Sequence, residues 1–131
     1  MTLTRKTAYT FIICAAFALP FASCGRQHNA EQTVKGFMEA NLNEPSSLEQ
    51  LHFEGMDSTR HITDSAVSAL RKAAQASAKQ YKADINYTTG KASPSTIFIK
   101  ATYKSGGKRY ADTYYLDPSL DAVVAFMSRE D

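Results

Sequence analysis

The sequence predicts an α+β fold, a curved antiparallel β-sheet of about four to five strands with two helices packed on one face. Three observations carry that expectation. Apolar residues recur at helical spacing in two stretches, one beginning near residue 30 and one near residue 64. From Ala83 onward they alternate with polar residues instead. The turn signals Gly106-Gly107 and Asp117-Pro118 separate the later runs by too few residues for crossover helices, so those strands pair antiparallel and need helices to cover their apolar face.

The first helix is predicted to start at Asn29, an N-cap residue, with Gln32 as its capping-box partner. Val34, Phe37, Met38 and Leu42 form its apolar stripe, and Asn43 with Pro45 ends it. Gly36, inside this helix, costs about 1 kcal/mol relative to alanine, which points to close packing against a neighbour. In residues 46–63, SSLEQLHFEGMDSTRHIT, Leu51 and Phe53 alternate with His52 and Glu54. This suggests a short strand near Gln50–Met56, although Leu48 and Leu51 equally suit a helical turn; DSTRH reads as a polar loop. Thr63 or Asp64 starts a second helix reaching about Gln80. Val67, Leu70, Ala74 and Tyr81 form its buried stripe, and Arg71, Lys72 and Lys79 a solvated face.

The remainder reads as a meander of four strands. Ala83, Ile85 and Tyr87 alternate, and Gly90 opens a loop that runs through Pro94. Ile97, Ile99, Ala101 and Tyr103 share one face of the next strand. A two-residue loop at Gly106-Gly107 sets Tyr103 opposite Tyr110, Ala101 opposite Asp112 and Ile99 opposite Tyr114. Ala122–Met127 is a last, mostly buried strand.

The N-terminus has a different composition. Arg5 and Lys6 precede an apolar stretch, Ala8–Leu19, which Pro20 ends before Ala22-Ser23-Cys24. This is the layout of a secretory signal, because a membrane span needs about 20 apolar residues. Residues 1–23 are therefore expected to be a signal peptide, 24–29 a short tether and 30–131 a single α+β domain. Without Arg5 and Lys6, the 15 basic residues of the chain fall to 13, equal to its 13 acidic ones. A neutral domain has no charge bias toward nucleic acid. Beyond Cys24 there is no cysteine, hence no disulfide, thiolate nucleophile or thiolate metal ligand.

The stretch FASCG resembles the lipobox of bacterial lipoproteins, with Phe21 where leucine is usual and Ala22-Ser23 at the small positions. The resemblance implies cleavage before Cys24, acyl chains on Cys24, and a membrane reached through that anchor. Gly25 in place of an aspartate implies the outer membrane. The absence of an acid before Glu31 favours its periplasmic face over the cell surface. The order of elements is similar to the cystatin-like α+β roll, which includes the nuclear transport factor 2-like superfamily. Together with the segment VKGFMEANLNEPSSLEQLHF, it also resembles small envelope lipoproteins of unknown function from anaerobic gut bacteria.

Chemistry is sparse. No HExxH, CxxC, phosphate-binding glycine loop or GxSxG elbow occurs, and no cofactor or metal is expected. A His52–His61 pair lacks an evident third ligand. The most interesting acid is Asp112, which the hairpin register places on one face with Tyr103, Tyr110 and Tyr114 as a candidate pocket. Enzymes of the nuclear transport factor 2-like group use such sheet-borne acids as general bases, and burial raises the pKa of a base. DST at 57–59 and DSA at 64–66 resemble a short O-glycosylation motif of gut-bacterial envelope proteins, implicating Ser58 and Ser65. The leading expectation is a non-enzymatic envelope lipoprotein that binds a protein partner or small ligand. The alternatives are a small enzyme using Asp112 as general base and a structural accessory subunit of an envelope complex.

Overall fold

The computed structural model describes residues 25–87 and 95–131. The signal peptide expected over residues 1–23, Cys24 and the loop expected from Gly90 to Pro94 lie outside the described residues. The fold is α+β, with an open antiparallel sheet and two helices against it.

Helix α1 covers residues 25–41. Ala30, Val34, Met38 and Leu42 recur every four residues and are fully buried, so one ridge of the helix enters the core. Residues 25–29 are helical, where a tether was expected, and Asn29 lies inside the helix and does not cap it. The cause is tertiary. The Gln27 side chain donates to the Glu54 carbonyl at 3.0 Å and accepts from the Met56 amide at 2.9 Å. A side-chain amide there takes the place of a strand neighbour and pins the first described turn to the sheet. Gly36 also departs from expectation, because a Cβ built there meets nothing within 4 Å. Its lack of a side chain serves no packing against the described residues.

After a 3-10 turn at Pro45–Ser47, two short strands follow, β1 (Glu49–Phe53) and β2 (Asp57–Thr59). Both pair with the same side of β3 (Thr96–Ser105), forming one interrupted edge. The strand expected near Gln50–Met56 thus stops at Phe53, and the expected DSTRH loop begins with a strand. Helix α2 (Asp64–Ser77) is capped by Thr63, whose hydroxyl accepts from the Ala66 amide. Strands β4 (Lys108–Leu116) and β5 (Val123–Glu130) complete the sheet in the order β1/β2, β3, β4, β5. Gly106 and Gly107 turn the β3–β4 hairpin at φ +59° and +82°, values that glycine adopts without steric cost.

The strand expected over Ala83–Tyr87 is absent. The end of α1 captures the chain first: Leu42 bridges Tyr81, and the Lys82 amide donates to the Asn41 carbonyl at 2.8 Å. The Asn43 side chain donates to the carbonyls of Lys79 and Tyr81 at 2.9 and 3.2 Å. Ile85 and Tyr87 then pack on the core from irregular backbone, half-buried, without a ladder.

The two faces of the sheet differ. Ile99, Ala101, Tyr103, Tyr114, Leu116 and Phe126 point toward α1 and are buried. Helix α2 runs beside β5, where Arg71 Nε donates to the Val124 carbonyl at 2.9 Å. From there Ala74 joins the α1-side core, while Val67 and Leu70 meet Val124, Ala125 and Tyr115. Between β1/β2 and β5, the second face keeps an open area.

Candidate functional site

The hairpin register is the one the turn predicts, with Tyr103 opposite Tyr110, Ala101 opposite Asp112 and Ile99 opposite Tyr114. It carries Asp112 to the buried face, where the residue is 1 % exposed. Asp112 Oδ2 accepts from the hydroxyls of Tyr103 at 2.6 Å, Tyr114 at 2.7 Å and Tyr81 at 2.9 Å. Its Oδ1 accepts from Ser128 Oγ at 2.5 Å. The Tyr81 and Tyr114 hydroxyl oxygens also lie 2.5 Å apart, so one of these phenols can give its single proton to the other in place of the carboxylate. Gln80 Nε2 closes the ring from outside, donating to Tyr103 at 3.0 Å and to Ser128 at 2.8 Å.

Each element supplies its member for a local reason. Tyr103 and Tyr114 follow from strand alternation. Ser128 stands opposite Asp112 on β5. Gln80 and Tyr81 are delivered by the junction between the two helix ends described above. Sequence reasoning missed Gln80 and Ser128 and placed Tyr81 only in the stripe of α2. Ser128 had a signal, since extending the β5 pairing by one step beyond Met127 brings it to Asp112. Tyr110 shares the face and stacks on Tyr103, with centroids 5.5 Å apart, but does not reach the carboxylate.

Burial raises the Asp112 pKa above the ordinary carboxylate value, and the Ser128, Tyr103, Tyr114 and Tyr81 hydroxyls pull it back in part. Burial likewise pushes the Tyr81 and Tyr114 phenols well above their ordinary value. The Tyr103 phenol moves the same way, again mainly through burial and with the neighbouring Asp112 charge adding to it. The cluster is thus a carboxyl solvated by four hydroxyls, which replace the water it loses. Both of its oxygens are occupied. A general base needs a lone pair within reach of a substrate proton, and here three hydroxyls crowd Oδ2, one holds Oδ1, and the residue is 1 % exposed.

The opposite face of the same strands carries a groove of about 530 Å³. Phe98, Lys100, Thr102, Thr113, Tyr115 and Met127 form its sheet floor and sides. His61 and Ile62 also line it, and Glu54, Arg129 and Asp131 add charge of both signs. Met127 is 50 % exposed there, although it is a large apolar residue. Phe98 and Tyr115, opposite one another in the ladder, have ring centroids 6.2 Å apart. This volume falls in the range of small-ligand clefts.

Ser58 lies exposed on β2, and Ser65 lies exposed in the first turn of α2. His52 and His61 are both exposed, and among the described residues no group of three His, Cys, Asp or Glu side chains could hold a metal ion. Among the described residues no helix is long and apolar enough to cross a membrane. Comparison of the chain with protein-family models, curated proteins and solved structures gives no match.

Proposed function

We propose that this chain is a non-enzymatic lipoprotein, held in an outer membrane through acylated Cys24, whose α+β domain binds a protein partner or small ligand on the open face of its sheet. The observation that carries the binding reading is the contrast between the two faces. The acid best suited to catalysis is sealed among four hydroxyls, while the reverse face leaves a groove with aromatic, methionine and cationic side chains. The order of elements supports likeness to the cystatin-like roll. FASCG supports the anchor, and two or three acyl chains, at about 0.8 kcal/mol per buried methylene, hold a protein stably. Their place on the periplasmic leaflet, and sugar on Ser58 or Ser65, belong to the same proposal.

Two measurements test it. The intact mass of protein purified from its native membrane is expected to equal Cys24–Asp131 plus acyl groups, with hexose-type increments if the serines are modified. A mass without lipid, or that of the full chain, overturns the anchor. For the groove, a photo-crosslinking residue at Thr113 is expected to capture a partner or ligand that the same residue at exposed Lys79 does not. Equal capture at both positions, or none at Thr113, overturns the assignment of this face.

A further inference from the structure

Resting on the reading that Cys24 carries the acyl chains, we infer that the β1–β2 edge at Glu54–Met56 lies against the headgroup layer of the membrane, with no spacer between lipid and folded body. The chain is helical from residue 25, and Ala30 is fully buried. Gln27, three positions beyond Cys24, is already fixed to that edge by its two hydrogen bonds, to the Glu54 carbonyl and from the Met56 amide. Three residues span about 11 Å at full extension. The polar layer of one leaflet is about 6 Å deep. With the Gln27 side chain and its hydrogen bond adding several ångström, the anchored edge cannot stand more than about three headgroup layers away from the lipid. A flexible tether of a dozen residues would let the body roam about 20 Å.

The opposite end of α1 provides the contrast. Residues 27–41 rise about 21 Å along the helix axis. There Asn43 is bonded to the Lys79 carbonyl, so the exposed Lys79 marks the far end. Exposed Arg26 and Glu54 at the near end carry opposite charges. Proximity there comes from the covalent anchor and does not depend on anionic lipid. Glu54 also belongs to the groove lining, so one wall of the groove stands beside the bilayer.

The test uses the full chain, processed in its native cell and reconstituted in phosphatidylcholine vesicles that contain some headgroup-spin-labelled lipid. A fluorophore is attached at Glu54→Cys or at Lys79→Cys. The fluorophore at Glu54→Cys is expected to be quenched several-fold more strongly than that at Lys79→Cys. The difference should persist in about 0.5 M salt, which screens surface charge within a few ångström. Inserting about twelve Gly/Ser residues between Gly25 and Arg26 should bring quenching at Glu54→Cys down to the Lys79→Cys level. Protein that floats with the vesicles but shows equal quenching at both sites, without the insertion, overturns the inference alone. Protein that fails to float overturns the anchor reading, and the inference with it.

Discussion

Replacing Asp112 tests whether the buried cluster is organised around a carboxyl. In Asp112→Ala, four hydroxyls lose their acceptor. Tyr103 can still donate to Tyr81 at 3.5 Å and Tyr81 to Tyr114 at 2.5 Å, but the protons of Tyr114 and Ser128 are then left without the acceptor they had. One unsatisfied buried phenol at about 1–3 kcal/mol and a half-buried serine hydroxyl at less, set against the relief of no longer burying a charge, give an expected loss of about 1–3 kcal/mol. That is a large part of the stability of a domain this size, typically about 5–15 kcal/mol. Asp112→Asn keeps the shape and one acceptor and removes the ionisation. The sign of the pH dependence follows from burial. The folded-state pKa of Asp112 lies above its unfolded value, so the folded protein retains a proton that the unfolded chain has already released. Its contribution is fully present below the unfolded pKa and is lost as pH rises through the folded one, at about 1.4 kcal/mol per unit of separation. Urea unfolding at a series of pH values measures both effects, followed by circular dichroism and tyrosine fluorescence in a chain without tryptophan. In Asp112→Asn the decline of stability with pH should flatten. A wild-type pH profile in that variant, or a cost below about 0.5 kcal/mol in Asp112→Ala, would refute the reasoning.

Three further outcomes are expected. Spectrophotometric titration of the native protein should leave Tyr81, Tyr103 and Tyr114 protonated through the normal phenol range. Their ionisation should appear only with unfolding, since a raised folded pKa withdraws stability as pH climbs. Gly36→Ala should raise stability by about 1 kcal/mol in thermal melts, because the added methyl meets nothing within 4 Å and the helix gains propensity. Asn43→Ala should cost about 1–2 kcal/mol by removing two side-chain hydrogen bonds between the helix ends, and amide exchange at Tyr81 and Lys82 should quicken.

What the sequence disclosed and what it hid divide along chain distance. The β3–β4 register was legible because a two-residue glycine turn fixes every pair by counting. The start of α2 was legible because Thr63 caps it locally. The α+β class followed from two changes of apolar period. Long-range influences were not legible. Ala83–Tyr87 has strand alternation, yet the residues just before it, Tyr81 and Lys82, are paired to the end of α1 and not to a strand of the sheet. DST reads as a turn until β3 offers it an edge. Residues 25–29 look like a polar tether until the Gln27 amide finds Glu54 and Met56. The candidate cluster was half visible for the same reason: Asp112, Tyr103 and Tyr114 lie on one hairpin and Ser128 follows from the β5 pairing, while Gln80 and Tyr81 arrive from a junction that no local pattern encodes.

The hairpin itself has an ambiguity that the buried acid resolves. Along β4, Tyr110, Asp112, Tyr114 and Leu116 alternate with Ala111, Thr113 and Tyr115, so neither set is plainly the apolar one. A slip of one residue turns every side chain of a strand to the other face, and here hydrophobicity alone would penalise it weakly. Only in the native register do three phenols and a serine converge on the Asp112 carboxylate. A slipped strand would carry Tyr114 away with the acid and bury alanine and threonine against Tyr81, Tyr103 and Ser128, leaving those hydroxyls without the carboxylate. The acid thus acts as a proofreader of strand pairing, costly to bury in the right place and far costlier to misplace.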